Sequence, residues 1–209
     1  MKRAELAFLI GIFLTIALTG MVRFYAAAQS LGQETLRLHI LANSDSGQDQ
    51  QLKLKVRDRL LEEGGQLFLR QDSLSGAEEE VQAHLDEIEA LCDRVLREEG
   101  AGYRSRAELV RMYFDTREYE EFLMPAGRYD ALRITLGEGE GHNWWCVMFP
   151  PMCLEAAQAE NTPTGQKILS LSEEPLYRPK FAVVEWIEGL KERFSSPEEQ
   201  DGIDKAAAG

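Results

Sequence analysis

The residues best suited to chemistry lie in the middle of the 209-residue chain, at His142, Cys146 and Cys153. An imidazole with two thiols is a set of zinc ligands, and an imidazole beside a thiol is a nucleophile pair. Zinc sites usually consist of two close ligand pairs, and this irregular series has no second pair. Cys146 also lies in an apolar run, where burial makes a thiol inert. We therefore predict no catalytic residue, no metal and no cofactor.

The same two cysteines have a structural interpretation. They are separated by Pro150 and Pro151, in a region that we expect to be exported, where disulfides persist. A bridge between Cys146 and Cys153 would stabilise the fold by roughly 2 kcal/mol through loop entropy. The alternative is two buried thiols that pack as small apolar groups, as we expect for Cys92. Connectivity cannot be deduced from the sequence, so both remain open.

Acidic side chains alternate with glycine just before this run, at Glu138 and Glu140. Together with Asp130 they offer oxygens to calcium, but a calcium loop usually supplies at least about four ligands. Alternation with three glycines is more typical of a solvated turn, because glycine permits positive φ. We interpret residues 137–143 as an exposed polar loop.

Two adjacent tryptophans, Trp144 and Trp145, open the apolar run that follows. Neighbouring residues of a strand point to opposite faces of a sheet. If both faces are covered, both rings belong to the core. If one face is open, one ring is an anchor for a partner protein, since tryptophan is enriched at binding hot spots.

The elements that must position these residues follow from periodicity. Alternating apolar residues predict strands at residues 36–42, 109–114 and 129–136, before the tryptophan strand at 144–149. Short turns between the last three strands favour an antiparallel meander. Helical spacing predicts one helix capped by Ser46 and continuing to Phe68, and a second capped by Ser75 and ending near Gly100.

Beyond the tryptophan strand the pattern is weaker. Residues 154–178 are predicted to be mostly loop, with a short element around residues 168–171. A third helix begins near Pro179, with an apolar side formed by Phe181, Val184, Ile187, Leu190 and Phe194. We predict an α+β fold, a two-layer sandwich in which three helices cover an antiparallel or mixed four-stranded sheet.

The N-terminus predicts export. Lys2 and Arg3 precede seventeen uncharged residues and the small-residue run at residues 26–28. This is the layout of a signal peptide cleaved after Ala28, although an uncleaved membrane anchor has the same composition. We therefore divide the chain into a signal peptide or anchor (1–28), one exported domain (29–194) and a disordered tail (195–209). The formal net charge of -13 makes nucleic acid an unsuitable partner.

Several segments together resemble the stage II sporulation protein R family of endospore-forming bacteria. They are Leu38-His39-Ile40-Leu41-Ala42-Asn43-Ser44-Asp45-Ser46 with the residues after it, Gly127 and Tyr129 with Ala131-Leu132-Arg133, the block from Gly137 to Cys153, and Val184-Glu185-Trp186. The resemblance covers roughly residues 34–194. The run from Gly137 to Pro151 is long enough to be specific.

The resemblance implies a signalling protein and not an enzyme. Members are exported from the forespore into the space between forespore and mother cell. There they activate a membrane-embedded aspartic protease, which processes the inactive precursor of the early mother-cell sigma factor, sigma-E. We expect the same partner here, with membrane contact through the N-terminal segment if it stays uncleaved.

The surface that meets this partner is a separate hypothesis. Polar turns at strand ends are common binding sites on a rigid scaffold. We predict that the turn with Asn43, Ser44 and Asp45 and the loop with Glu138, Glu140, His142 and Asn143 form the binding edge, with Trp144 and Trp145 beside them. Two alternatives are a secreted hydrolase of septal wall material that uses His142 and an acidic partner, and a membrane-tethered structural adaptor.

Overall fold

The computed structural model describes residues 3–64, 73–119, 122–152, 162–173 and 177–194. Within these ranges the chain forms six α-helices: α1 (Arg3–Leu31), α2 (Gly47–Arg59), α3 (Leu74–Ala83), α4 (Leu85–Glu98), α5 (Pro163–Glu173) and α6 (Tyr177–Phe194). A short π-helical segment, Leu60–Gly64, continues α2. The predicted tail from residue 195 lies outside the described residues.

The described ranges also contain six strands, which form two sheets. They are β1 (Leu36–Leu41), β2 (Ser105–Phe114), β3 (Arg117–Glu118), β4 (Leu123–Met124), β5 (Gly127–Leu136) and β6 (Asn143–Phe149). The main sheet has the order β2-β5-β1-β6, and β3 pairs with β4 in a small ribbon. The four predicted strands are confirmed, and the sheet is mixed because β1 runs parallel to β5 and antiparallel to β6.

The predicted meander is wrong for its last strand. β2 and β5 are antiparallel neighbours, but β5 and β6 do not touch, because β1 lies between them. Ile40 of β1 pairs with Ile134 on one side and with Trp144 on the other. β1 is almost entirely buried, so its backbone groups need partners on both edges. The loop at residues 137–143 therefore crosses over the end of β1.

Helices cover both faces of the sheet, so the predicted two-layer sandwich with three helices is corrected to three layers with six helices in the described residues. One face carries Leu38, Ile134 and Met148 and packs against α2, α3 and α4. The other carries Ala131 and Val147 and packs against α1, α5 and α6. The prediction missed the second layer because it excluded α1 from the domain and assigned the α5 segment mostly to loop.

The helix caps were predicted with mixed success. Ser46 is the N-cap of α2, and its hydroxyl accepts a hydrogen bond from the Asp49 backbone N–H at 3.1 Å. The predicted extension of α2 to Phe68 falls outside the described residues. The predicted second helix is wrong as a single element, because the backbone breaks at His84 and separates α3 from α4. Its N-cap is Ser73 and not Ser75.

Candidate functional site

Two polar loops meet at one end of the sheet, where β1 ends and β6 begins. Leu41 pairs with Asn143, so the β1–α2 turn (residues 42–46) and the β5–β6 loop (residues 137–143) are neighbours. The loop donates backbone hydrogen bonds from Gly141 to the Ala42 carbonyl at 2.9 Å and from Glu140 to the Asn43 carbonyl at 3.2 Å. We call these two segments together the loop face.

Glycine is required at two positions of the loop face because the two segments approach each other closely. Gly137 has a φ of 57°, and a Cβ there would lie 2.1 Å from Asn43 Oδ1. A Cβ on Gly141 would lie 2.2 Å from the Ser44 carbonyl oxygen. Both distances are far below van der Waals contact. The glycines that predicted an exposed polar loop also allow the two segments to pack tightly.

Asp49 is the centre of the hydrogen bonds beneath the loop face. Its carboxylate accepts from Asn43 Nδ2 at 2.9 Å, from the Ser44 hydroxyl at 2.5 Å and from the Tyr103 hydroxyl at 2.5 Å. The hydrogen bonds from Ser44 and Tyr103 lower the pKa of Asp49 to about 2. Burial and the bond to Asp49 raise the pKa of Tyr103. Asp49 is therefore a buried, ionised hub.

Asn43 and Ser44 thus connect the β1–α2 turn to the Asp49 carboxylate beneath it. The Asn43 side chain also accepts a hydrogen bond from the Glu138 backbone N–H at 3.0 Å, which ties the two segments directly. The sequence predicts both residues in the binding edge but does not indicate Asp49 as their partner. Tyr103, which lies in the turn after α4, could not be predicted either, because no local pattern connects it to Asp49.

Asp45 and His142 join the two segments on the outside. Asp45 Oδ1 lies 2.6 Å from the His142 backbone nitrogen and 2.5 Å from its ring Nδ1. The hydrogen bond from the His142 ring lowers the pKa of Asp45. The side chains are 80% and 57% exposed for His142 and Asp45. Lys53 supports the loop from α2 by donating to the His142 carbonyl at 2.8 Å.

The outer surface of the loop face is polar and mostly acidic. Glu138, Glu140, Asp45, His142 and Asn143 are all exposed. Their backbones are fixed by the hydrogen bonds described above. A rigid array of exposed carboxylates around an imidazole is chemically suited to bind a polar or basic surface.

The two tryptophans lie on opposite faces of β6, as predicted, and both are half-buried. Trp144 packs against the core on the α2 side, with the Arg57 guanidinium 5.3 Å from its ring centre. Trp145 stacks on His39, with ring centres 3.9 Å apart, and Arg117 lies 5.1 Å from the Trp145 ring. Burial lowers the pKa of His39 to about 4, so a neutral imidazole stacks there near neutral pH.

The candidate chemistry at Cys146 is limited by its covalent state. Cys146 is 1% exposed and disulfide-bonded, whereas Cys92 is a buried free thiol. Cys153, the partner predicted from the sequence, lies outside the described residues. A sulfur in a disulfide is not a thiolate, so Cys146 cannot act as nucleophile or zinc ligand in this state. The described parts of the chain contain no cluster of three His, Cys, Asp or Glu side chains arranged for a metal.

These features define an α+β protein that carries a long apolar N-terminal helix and presents a rigid polar loop face. By length and composition, residues Ala4–Leu31 are able to cross a membrane. The comparison with known proteins gives the family. The chain belongs to the stage II sporulation protein R family, whose sequence profile matches residues 32–159.

A curated relative supports this assignment. The chain is 37% identical over 158 residues to stage II sporulation protein R of Bacillus subtilis (strain 168), a match that covers 73% of this chain and 70% of the relative. No solved structure matches the chain. The resemblance stated from the sequence is therefore confirmed, and the chain is a sporulation protein.

Proposed function

We propose that the chain is an exported sporulation signal that activates a membrane-embedded aspartic protease. In this proposal it is made in the forespore and acts in the space between forespore and mother cell. The activated protease then processes the inactive precursor of sigma-E. Membership of the stage II sporulation protein R family supports the biological setting. The loop face supplies a surface through which such a signal can be recognised.

The observation that supports the loop face as the recognition surface is its fixed geometry. Two backbone hydrogen bonds, the Asp49 hub and the Asp45–His142 contact hold exposed polar side chains in one arrangement. A preorganised surface loses little conformational entropy on binding, which favours specific recognition of a partner. The half-buried tryptophans are better suited to support this face than to act as separate anchors.

Activation requires differential affinity. A protein that binds resting and active protease equally tightly would not shift the equilibrium between these two states, however tight the complex. The loop face must therefore fit the active arrangement of the protease better than the resting one. Shifting a population from about 1:99 to about 99:1 requires roughly 10⁴-fold discrimination. Loss of part of the loop face should consequently reduce activation more than it reduces folding.

One contact favours the alternative of a secreted wall hydrolase. His142 Nδ1 lies 2.5 Å from Asp45 Oδ1, the type of pair that orients a histidine acting as a general base. Both side chains are largely exposed, so water screens the pair, and Cys146 is unavailable as a nucleophile. A hydrolase would lose activity on septal wall material with H142Q alone. A recognition surface should tolerate this substitution better than a four-residue replacement.

The direct test is co-expression of the full chain with the protease and the sigma-E precursor in a heterologous host. The measured quantity is the fraction of precursor that is cleaved. We expect the natural chain to raise this fraction and E138A/E140A/H142A/N143A to reduce the effect by at least about tenfold, as loss of a central binding patch does. The matched control E79A/D86A removes two exposed carboxylates from α3 and α4, away from the loop face.

The outcomes separate the two parts of the proposal. If the natural chain causes no cleavage, protease activation is wrong. If it causes cleavage and the four-residue variant, folded and exported, works equally well, the loop face is not the recognition surface. Release of wall fragments by the purified natural chain, lost in H142Q, would favour the hydrolase.

A further inference from the structure

Helix α1 has two parts with different surroundings. From residue 4 to residue 19 every side chain is exposed, including large apolar ones such as Phe8 (70%) and Phe13 (71%). From Met21 onward one face turns inward, and Phe24, Ala28 and Leu31 are at most 3% exposed. We call residues 4–22 the anchor segment and residues 24–31 the docking turns. The buried positions follow the spacing of one helical face.

The anchor segment has the properties of a helix in lipid. Its nineteen residues, of which only Glu5 near the start is charged, rise by about 1.5 Å each, to roughly 28 Å, close to the hydrocarbon thickness of about 30 Å. The hydroxyls of Thr15 and Thr19 donate to the carbonyls of Gly11 and Thr15, each at 2.8 Å, so neither needs water. Lys2 and Arg3 precede the segment, which places its start on the cytoplasmic side and the domain on the other.

The docking turns are an integral part of the domain. The rings of Phe24 and Phe181 meet edge to face at 4.9 Å. Tyr25 and Gln29 each donate a side-chain hydrogen bond at 2.7 Å to the same oxygen of Glu188, a residue only 8% exposed. Loss of Tyr25 would leave the buried Glu188 carboxylate with only Gln29 and Lys191 of these three partners.

Cleavage after Ala28 would cut through the docking turns. It would remove Phe24, Tyr25 and Ala28 from the apolar core that covers one face of the sheet. The helix continues without a break to Leu31, so the cut would fall within regular helix. Small residues at positions 26–28 satisfy the cleavage pattern in the sequence, but Ala28 is itself buried in the core, at 3% exposure.

We propose that α1 is retained as a membrane anchor, whose docking turns are built into the exported domain, and that the occupant of the exposed anchor segment is the lipid bilayer. Because one continuous helix leaves the bilayer and enters the core, no flexible linker separates the domain from the membrane. The domain is held directly at the outer surface in a fixed orientation. This inference does not depend on protease activation.

The first test measures the fate of residues 1–28. The full chain is produced in a bacterial host, and its intact mass and its extraction from membranes at alkaline pH are determined. We expect the mass of the uncut chain and retention in the membrane pellet. A mass that starts at residue 29 would overturn the proposal, and so would an uncut chain that is released by alkaline extraction.

The second test measures docking with trypsin, which cuts after the exposed Arg23 only when the surrounding helix opens. In the detergent-solubilised full chain we expect slow cleavage at Arg23. F24A should accelerate it by at least about tenfold, because it removes a buried ring from the contact with α6. Q29A should accelerate it less, and the control V183A, on the exposed side of α6, should not change it.

Melting curves of the domain show whether each variant is folded. Equal cleavage rates in the natural chain, F24A, Q29A and V183A would overturn docking even if F24A were partly unfolded, because Q29A removes a hydrogen bond without making a cavity in the apolar core. Rapid cleavage in the natural chain would also overturn it. Neither result would bear on protease activation, which is scored separately by precursor cleavage.

Discussion

Asp45 Oδ1 receives both the backbone N–H and the ring Nδ1 of His142, at 2.6 and 2.5 Å, across 97 positions of sequence. This double contact connects the outer rims of two loops whose inner sides are already joined by backbone hydrogen bonds. Because both side chains are exposed, the contact fixes the local shape of the loop face more than it stabilises the fold.

The substitution D45A tests this relationship. We expect the His142 amide to exchange with solvent roughly threefold to tenfold faster, the factor that one hydrogen bond controls. The overall unfolding transition should remain where it is. Hydrogen exchange read by NMR gives the first quantity and urea unfolding the second. D115A, at another exposed aspartate, is the control, and equal protection in both variants would contradict the contact.

Replacement of Gly137 should be costly, because both its backbone conformation and its surroundings favour glycine. G137A combines a φ of 57° with a Cβ 2.1 Å from Asn43 Oδ1, so either the loop or the Asn43 side chain must move. We expect a loss of about 1–3 kcal/mol in the free energy of unfolding. G102A is the matched control, because a Cβ there meets no atom within 4 Å. Urea unfolding curves that coincide for the two variants would refute the close approach.

Asp49 predicts a specific dependence of stability on pH. Its pKa is about 2 in the folded chain and 3.8 without these interactions. A lowered folded pKa contributes stability that is fully present above the unfolded value and is lost as pH falls towards the folded value. The difference in unfolding free energy between the natural chain and D49N should therefore be constant from about pH 5 to 7 and shrink between pH 3.8 and 2.

A second variant checks the cause of the pKa shift. Y103F removes the hydroxyl that donates to Asp49 Oδ1 at 2.5 Å and changes little else in shape. The pKa of Asp49 should then rise towards its ordinary value, so the stability that Asp49 contributes at neutral pH should be smaller, and its loss on acidification should end at higher pH. Urea unfolding measured from pH 2 to 7 gives both curves. If the unfolding free energy depends on acidic pH in the same way in Y103F and in the natural chain, Tyr103 does not stabilise the Asp49 carboxylate.

The strands could be predicted from the sequence because their side chains obey a local rule. Leu36, Leu38 and Ile40 alternate with polar residues, and the structure buries them on one face. The order of the strands could not be predicted in this way. The alternation of β5 and β6 is the same whether they pair with each other or with β1 between them. The strand order is decided by the burial of both edges of β1, and this burial depends on the whole sheet.

The candidate site was predicted in part for a similar reason. Turn residues and glycines identified the two segments, because their conformational preferences are local. The Asp49 hub was missed because Tyr103 approaches it from a turn 54 positions away. The sequence left open whether α1 is a signal peptide or an anchor, because composition describes what a helix contains and not what it packs against. The position of α1 in the fold is determined by contacts such as that between Phe24 and Phe181.

Arg37 provides a last prediction, because its guanidinium is fully buried without an ion pair to any described carboxylate. Nε donates to the Cys146 carbonyl at 3.1 Å, one terminal nitrogen donates to Tyr119 at 2.8 Å, and the group lies 4.5 Å from the Phe114 ring. The other terminal nitrogen has no hydrogen-bond partner among the residues that the structure describes. Such a group fills space well, but its charge is costly to bury.

Two substitutions separate the volume of Arg37 from its charge. R37A leaves a cavity beside Phe114 and should lower the free energy of unfolding by about 2–5 kcal/mol. R37M keeps most of the volume and removes the buried charge, so we expect it to remain within about 1 kcal/mol of the natural chain. Urea unfolding of the two variants decides between the roles. If R37M is as unstable as R37A, the hydrogen bonds to Cys146 and Tyr119, and not the packing, make arginine necessary at this position.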